Sequence, residues 1–377
     1  MKNREPGIDL LRCFALLCVV GVHSCLYNNF YSIPQTGLVM WAADSFRWMF
    51  FCCNILFMML TGYLKSGKQY SKGYYRSLIG ILLSYVLCCA VSFPIRHFLL
   101  NDQGSLYDWI TLLVTFGNYG WYVEMYIGLF LLSPFLNIIL DKLNTPKQFC
   151  WLAGTMVFLT AVPSVIPTIN VFPDYWTGLY PLTMYVLGAG VRKFRPQIPS
   201  WVAGLAAAAV LMLMGFFSIA STDQGFSSGF SQGYGGFWVT LACVFLFLSM
   251  YRLRLPTVLH KPLSWMSSGV FEGFLLSRLF DVWVYTTAPG FFRQPENAWL
   301  GFLSLTIPIY ICSLLLGKMV QPELTSVDQM AGHAGCLALD ILLRRLQEAD
   351  AGELTVQMQY QPHLIVRQST MYSRAEK

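Results

Sequence analysis

Charge is what this sequence has least of. Aspartate, glutamate, lysine and arginine make up only 12% of its 377 residues, while 55% are hydrophobic and 16% aromatic. An ordinary soluble domain carries about twice that share of charge. With a mean hydropathy of +0.52, the chain has too little polar surface to face water on all sides and reads as a polytopic membrane protein whose first partner is the lipid bilayer. The surplus charge of +6 is scattered over short loops. Without a basic cluster or an aromatic-basic alternation, nucleic acid is excluded as a partner. No Cys-x-x-Cys pair occurs either, and ten of the eleven cysteines (Cys13, Cys18, Cys25, Cys52, Cys53, Cys88, Cys89, Cys150, Cys243 and Cys312) fall in apolar runs. There cysteine behaves as a small buried hydrophobe, so no metal site is expected. No small-residue cleavage site closes the first apolar run, which is therefore expected to stay as an uncleaved first span. No internal repeat marks two transporter-like halves.

What is abundant is long apolar runs. Segments near the ~20 residues needed to cross a bilayer lie at about 8–26, 38–64, 77–97, 120–140, 148–168, 176–191, 200–220, 235–250, 264–286 and 297–319. The expected fold is therefore all-α, with about ten transmembrane helices. The run at 107–117 is too short to span alone and fits a re-entrant or interfacial piece.

Basic residues orient these spans, because Lys and Arg collect in short cytoplasmic loops. Lys2 and Arg4 precede the first span; Lys65, Lys68, Lys72 and Arg76 separate the second and third; Lys142 and Lys147 follow the fourth; Arg192, Lys193 and Arg195 follow the sixth; Arg252, Arg254 and Lys261 follow the eighth. The connections at 27–37, 169–175 and 221–234 hold no Lys or Arg, whereas Arg96 and Arg293 flank two others. Both termini are expected to be cytoplasmic. Loop 221–236, rich in Gly, Ser and aromatics, reads equally as an adaptable lid or a plain connector.

The composition changes after Lys318. Residues 1–320 form the membrane domain, and 321–377 read as a short soluble α/β-like appendage with an amphipathic helix and strand-like pieces broken by Pro362. About 55 residues are too few to bury much of a core alone.

The chemistry concentrates in Gly7 to Leu26, GIDLLRCFALLCVVGVHSCL, where Asp9, Arg12 and His23 interrupt an otherwise apolar helix. Ionisable groups at membrane depth are costly and mark functional positions. At 100° per residue, eleven residues return His23 to within about 20° of Arg12, some 16 Å further along the axis. One polar stripe thus joins the two halves of the helix. His23 is suited to act as a general base towards a hydroxyl, and equally to a plain interhelical hydrogen bond. Arg12 offers a planar fork of donors to a phosphate, carboxylate or thioester oxygen. Asp9 reads as its supporting partner. Glu124 in WYVEMY is a candidate to orient His23, and Glu272, Arg278 and Asp281 form a second polar cluster that can pair internally or with the first span. Asp44 and Arg47 are further charges in apolar surroundings. The KSGKQYSKGYYR loop suits coenzyme phosphates or anionic lipid, and positive-inside topology also accounts for it.

These residues together resemble the membrane-bound acyltransferase family 3, multi-pass enzymes that O-acylate bacterial surface polysaccharides. The resemblance rests on Ile8-Asp9-Leu10-Leu11-Arg12 followed after ten residues by His23, on NILFMMLTGYL at 54–64, on Lys72 and Arg76, and on WYVEMYIGLFLLSPFLN at 121–137. It covers residues 1–320 and implies transfer of an acyl group, in most members acetyl, from cytoplasmic acyl-CoA to a hydroxyl of a cell-surface glycan. His23 and Arg12 then become the catalytic pair, and Lys72 and Arg76 the donor-binding residues. No bound cofactor is implied, acetyl-CoA being a substrate, and the location implied is the bacterial inner membrane. Thr61 stands where the family has Ser, and FEGFLLSRLFD lacks the Tyr and His of many members. A transporter or flippase for a lipid-linked sugar or small anion, or an inactive scaffold or sensor, are the alternatives. The tail at 322–371, with PHLIVRQST near its end, resembles the C-terminal end of a lactose/galactose-type repressor, implying a fusion without DNA-binding function.

Overall fold

A computed structural model describes residues 5–321, apart from 29, 100–104, several positions within 106–119, 166–172, 221–224, 231–232 and 288–297. The appendage beyond its first residue, 322–377, with its repressor-like reading, and most of the 107–117 segment lie outside the described residues. Among the described residues, all the regular structure is helical. The helices are α1 (Pro6–Tyr27), α2 (Gly37–Phe51), α3 (Cys53–Lys65), α4 (Lys72–Pro94), α5 (Trp121–Asp141), α6 (Pro146–Thr160), α7 (Tyr180–Phe194), α8 (Ser200–Ile219), α9 (Phe237–Met250), α10 (Thr257–Ser268), α11 (Val270–Thr287) and α12 (Ala298–Val320).

Among the described residues, five stretches are long and apolar enough to cross a membrane: Pro6–Tyr27, Gly37–Lys65, Lys72–Phe98, Trp121–Asp141 and Ser200–Ile219. The other expected spans overlap helices α6, α7, α9, α10 with α11, and α12. Two differ from the sequence expectation. The 38–64 run breaks at Cys52 into α2 and α3, and the 264–286 run breaks at Gly269 between α10 and α11. Hydropathy averages over such joints, because a single non-helical residue leaves the apolar pattern on both sides intact.

Local chemistry sets where helices begin and end. Pro6 opens α1, where its missing N–H costs nothing. Ser71 caps α4 by accepting from Tyr74 N, and Thr145 with Gln148 forms a capping box on α6. At the end of α7, Arg195 turns into the left-handed region (φ 43°, ψ 63°) and so stops the helix.

α1 is the hub. Fourteen of its 22 residues are buried, and it packs against α2, α3, α9, α10, α11 and α12. Around it, one helix pair approaches backbone to backbone at glycine, as expected where lipid removes the hydrophobic incentive for association. The α3–α7 contact shows why. A Cβ on Gly62 would strike Tyr185 O, and one on Gly188 would strike Met59 O, so each glycine lets one backbone rest on the other. Polar pins add direction. Asn137 Nδ2 donates to Lys65 O and Lys68 O at 2.8 Å each, while its Oδ1 accepts from Tyr185 OH at 2.9 Å, fixing the first basic loop to α5 and α7. Trp48 Nε1 donates to Ser218 Oγ at 2.8 Å, tying α2 to α8.

Substituting Gly62→Ala or Gly188→Val is expected to destabilise the bundle by about 1–3 kcal/mol through overpacking. The check is thermal unfolding of the detergent-solubilised protein, followed by loss of the monodisperse chromatographic peak. Wild-type melting in both variants would contradict the backbone-on-backbone contact.

Candidate active site

The cavity beside Arg12 starts from a carboxylate that the bundle has sealed. Asp9 is 4% exposed, and Ser267 Oγ at the end of α10 donates to its Oδ1 at 2.7 Å. Arg12 Nη1 lies 3.7 Å from the same oxygen, a loose ion pair beside a firm hydrogen bond. The Arg12 side chain keeps 31% of its surface accessible. It lines a cavity of about 460 Å³ together with Thr61, Ser84, Tyr126, Ser267 and Glu272, the remaining wall being largely apolar. A guanidinium held by a buried carboxylate at the edge of an apolar space is a receptor for an anionic or strongly polar group, because the surroundings screen it weakly.

His23 lies on the same helix but outside that cavity. Its Nδ1 is 3.4 Å from Asp281 Oδ2 on α11, with the imidazole 14% and the carboxylate 0% exposed. The buried carboxylate stands close enough to favour positive charge on the ring. The eleven helical steps from Arg12 to His23 separate the two positions by about 16 Å along the axis.

The other expected residues fall as follows. Glu124 is exposed on the first turn of α5, and the carboxylate found beside His23 is Asp281 from the second polar cluster. Glu272 is 5% exposed and shares the cavity with Arg12, while Arg278, one turn before Asp281, is part-buried. Lys72 and Arg76 are exposed at the start of α4, and Arg76 directly precedes Ser77 of the cavity lining. Ser267 escaped sequence reasoning altogether. No spacing signals a hydroxyl 258 residues from its acceptor. No group of three or more metal-ligating side chains occurs among the described residues.

Asp44 and Arg47 have a different setting. Arg47 is 7% exposed. Its Nε donates to Tyr31 OH at 3.0 Å, and its guanidinium lies 4.2 Å from the Trp48 ring and 4.5 Å from that of Phe226. Desolvated cation–π contacts of this kind stabilise a buried arginine without any ligand. Phe226 belongs to the described part of loop 221–236, so that part is packed on the bundle.

The central helix of this membrane protein thus carries a charged cavity at one level and a histidine beside a buried carboxylate at another. The family model described as an acyltransferase domain, that of acyltransferase family 3, matches residues 5–318. The chain belongs to that family and is a membrane acyltransferase. No curated protein and no solved structure matches it.

If His23 acts in the reaction, Asp281→Asn is expected to lower turnover by roughly 10²-fold or more with KM little changed, because the ring loses the negative charge beside it. Glu124→Gln should leave turnover at the wild-type level. Steady-state kinetics on both variants check the pairing, and the reverse ranking would refute it.

Proposed function

We propose that the protein is an O-acyltransferase of the bacterial inner membrane, moving an acetyl or similar acyl group from cytoplasmic acyl-CoA to a hydroxyl of a cell-surface glycan. The observation that carries this reading is the split along α1, with Arg12 at a cavity near the basic loops and the His23–Asp281 pair beyond it.

In this reading His23 Nε2 takes the proton of the acceptor hydroxyl as the oxygen attacks the thioester carbonyl carbon. The tetrahedral intermediate collapses with breakage of the C–S bond, and the proton passes from His23 to the departing thiolate, giving free CoA and the ester. Asp281 steadies the imidazolium between these steps. Arg12 is too far from His23 to touch the same carbonyl. Helical side chains lean towards the N-terminus, and Arg12 turns towards Asp9, three residues before it. Its role is therefore to position the donor, whose extended pantetheine arm bridges the two levels. Lys72 and Arg76, exposed at the start of α4, would supply positive charge for the donor's phosphates. The acyl-CoA is a substrate, and the acceptor approaches from the side opposite the basic loops.

Transfer from labelled acetyl-CoA, assayed in membranes with a glycan-bearing acceptor fraction, tests the reading. His23→Ala at equal protein level is expected to lose roughly 10²–10⁴-fold in rate. Unchanged transfer in that variant would remove the assigned role. Movement of a sugar or anion across the membrane without CoA release would instead favour a transporter.

A further inference from the structure

A second concavity lies at the same basic-loop end of the bundle and has no part in the transfer site. It measures about 360 Å³ and is lined by Glu5, Tyr63, Arg195, Arg252, Arg254 and His260 among others. Tyr63 reaches it from one face of α3, whereas Leu60, Thr61 and Leu64 on the other face line the Arg12 cavity. The helix therefore stands between the two.

Its cations come from separate parts of the chain. Arg195 ends α7, Arg252 and Arg254 follow α9, and His260 lies on α10. A topological bias towards basic loops requires only that such residues lie on one side of the membrane; it does not bring three segments together around one hollow. Their placement is also held in detail. Arg195 adopts a left-handed backbone, unusual for a residue with a long side chain, and its Nη2 donates to Glu5 Oε1 at 3.1 Å. Arg192 donates to both Glu5 oxygens at 2.9 and 3.0 Å, and Tyr63 OH donates to Oε2 at 2.7 Å. Glu5 is thereby occupied by two arginines and a phenol. Arg252 Nη1 donates to Gln197 Oε1 at 2.7 Å, a neutral partner that orients the guanidinium without cancelling its charge. Arg254 adds a further exposed guanidinium to the wall. Among the described residues, the hollow's lining thus sets three guanidinium groups against one carboxylate, with Arg192 also on that carboxylate.

We infer that this concavity is a binding site for a phosphate-bearing anion, with Arg252 and Arg254 as its main donors. Planar guanidinium forks match phosphate oxygens in pairs, and the hollow is roomy enough for a headgroup or a nucleotide phosphate. The site does not depend on the acyl-transfer reading.

The test uses the full-length protein in nanodiscs of neutral phosphatidylcholine, with two probes measured by equilibrium binding: a short-chain phosphatidic acid and adenosine 3′,5′-bisphosphate. Both arms are repeated on Arg252→Ala/Arg254→Ala, on the milder Arg254→Gln, and on Arg12→Gln, which alters only the other cavity. Binding of at least one probe, weakened roughly tenfold or more in the double variant and retained in Arg12→Gln, is expected. Loss confined to the phosphatidic acid identifies a lipid headgroup as the source; loss confined to the bisphosphate identifies a soluble nucleotide. If the double variant does not fold, Arg254→Gln carries the same comparison with a smaller loss. The proposal is overturned if the wild type binds neither probe, or if the arginine variants bind both as the wild type does.

Discussion

Burying ionisable side chains in an apolar helix is the constraint on which this structure turns. α1 must carry Asp9, Arg12 and His23 through the centre of a bundle where an uncompensated charge costs several kcal/mol. The surrounding helices supply the compensation. α10 offers Ser267 to Asp9, α11 offers Asp281 to His23, and the Arg12 side chain keeps part of its surface on an open cavity. α10 and α11 are joined by the single residue Gly269. Ser267 and Asp281 are separated by the same number of residues as Asp9 and His23, so this stretch runs alongside α1 and serves both of its levels.

In the reaction proposed above, that arrangement would separate holding a donor from activating an acceptor. A single pocket containing both arginine and histidine would have to admit both substrates together, whereas two levels on one helix would let each approach from its own side and meet in between. Close backbone packing, as at Gly62 and Gly188, keeps such a frame stiff where lipid gives no hydrophobic pressure.

Much of this was legible in the sequence because it is local. The apolar runs, the basic loops, and the Arg12 to His23 spacing on one helix face all follow from residues within a few turns of each other. Asp281 was visible as a charge too expensive to be idle, with the first span among its expected partners. Glu124 was proposed beside His23 on the same reasoning, yet it sits exposed on α5, since burial of a helix face near a span end cannot be read from one strand of sequence. Ser267, the break at Cys52 and the two concavities depend on contacts between residues far apart in the chain. Hydroxyls, single non-helical joints and packing voids leave no periodic trace.

The central claim is that Arg12 holds the donor while His23 acts only in transfer. Equilibrium binding of CoA to purified full-length Arg12→Gln and His23→Ala separates the two roles. The account predicts that His23→Ala binds CoA as tightly as the wild type while Arg12→Gln binds it roughly tenfold or more weakly, in line with loss of a charged hydrogen bond. Equal binding by all three proteins, or weakened binding in His23→Ala alone, would contradict it.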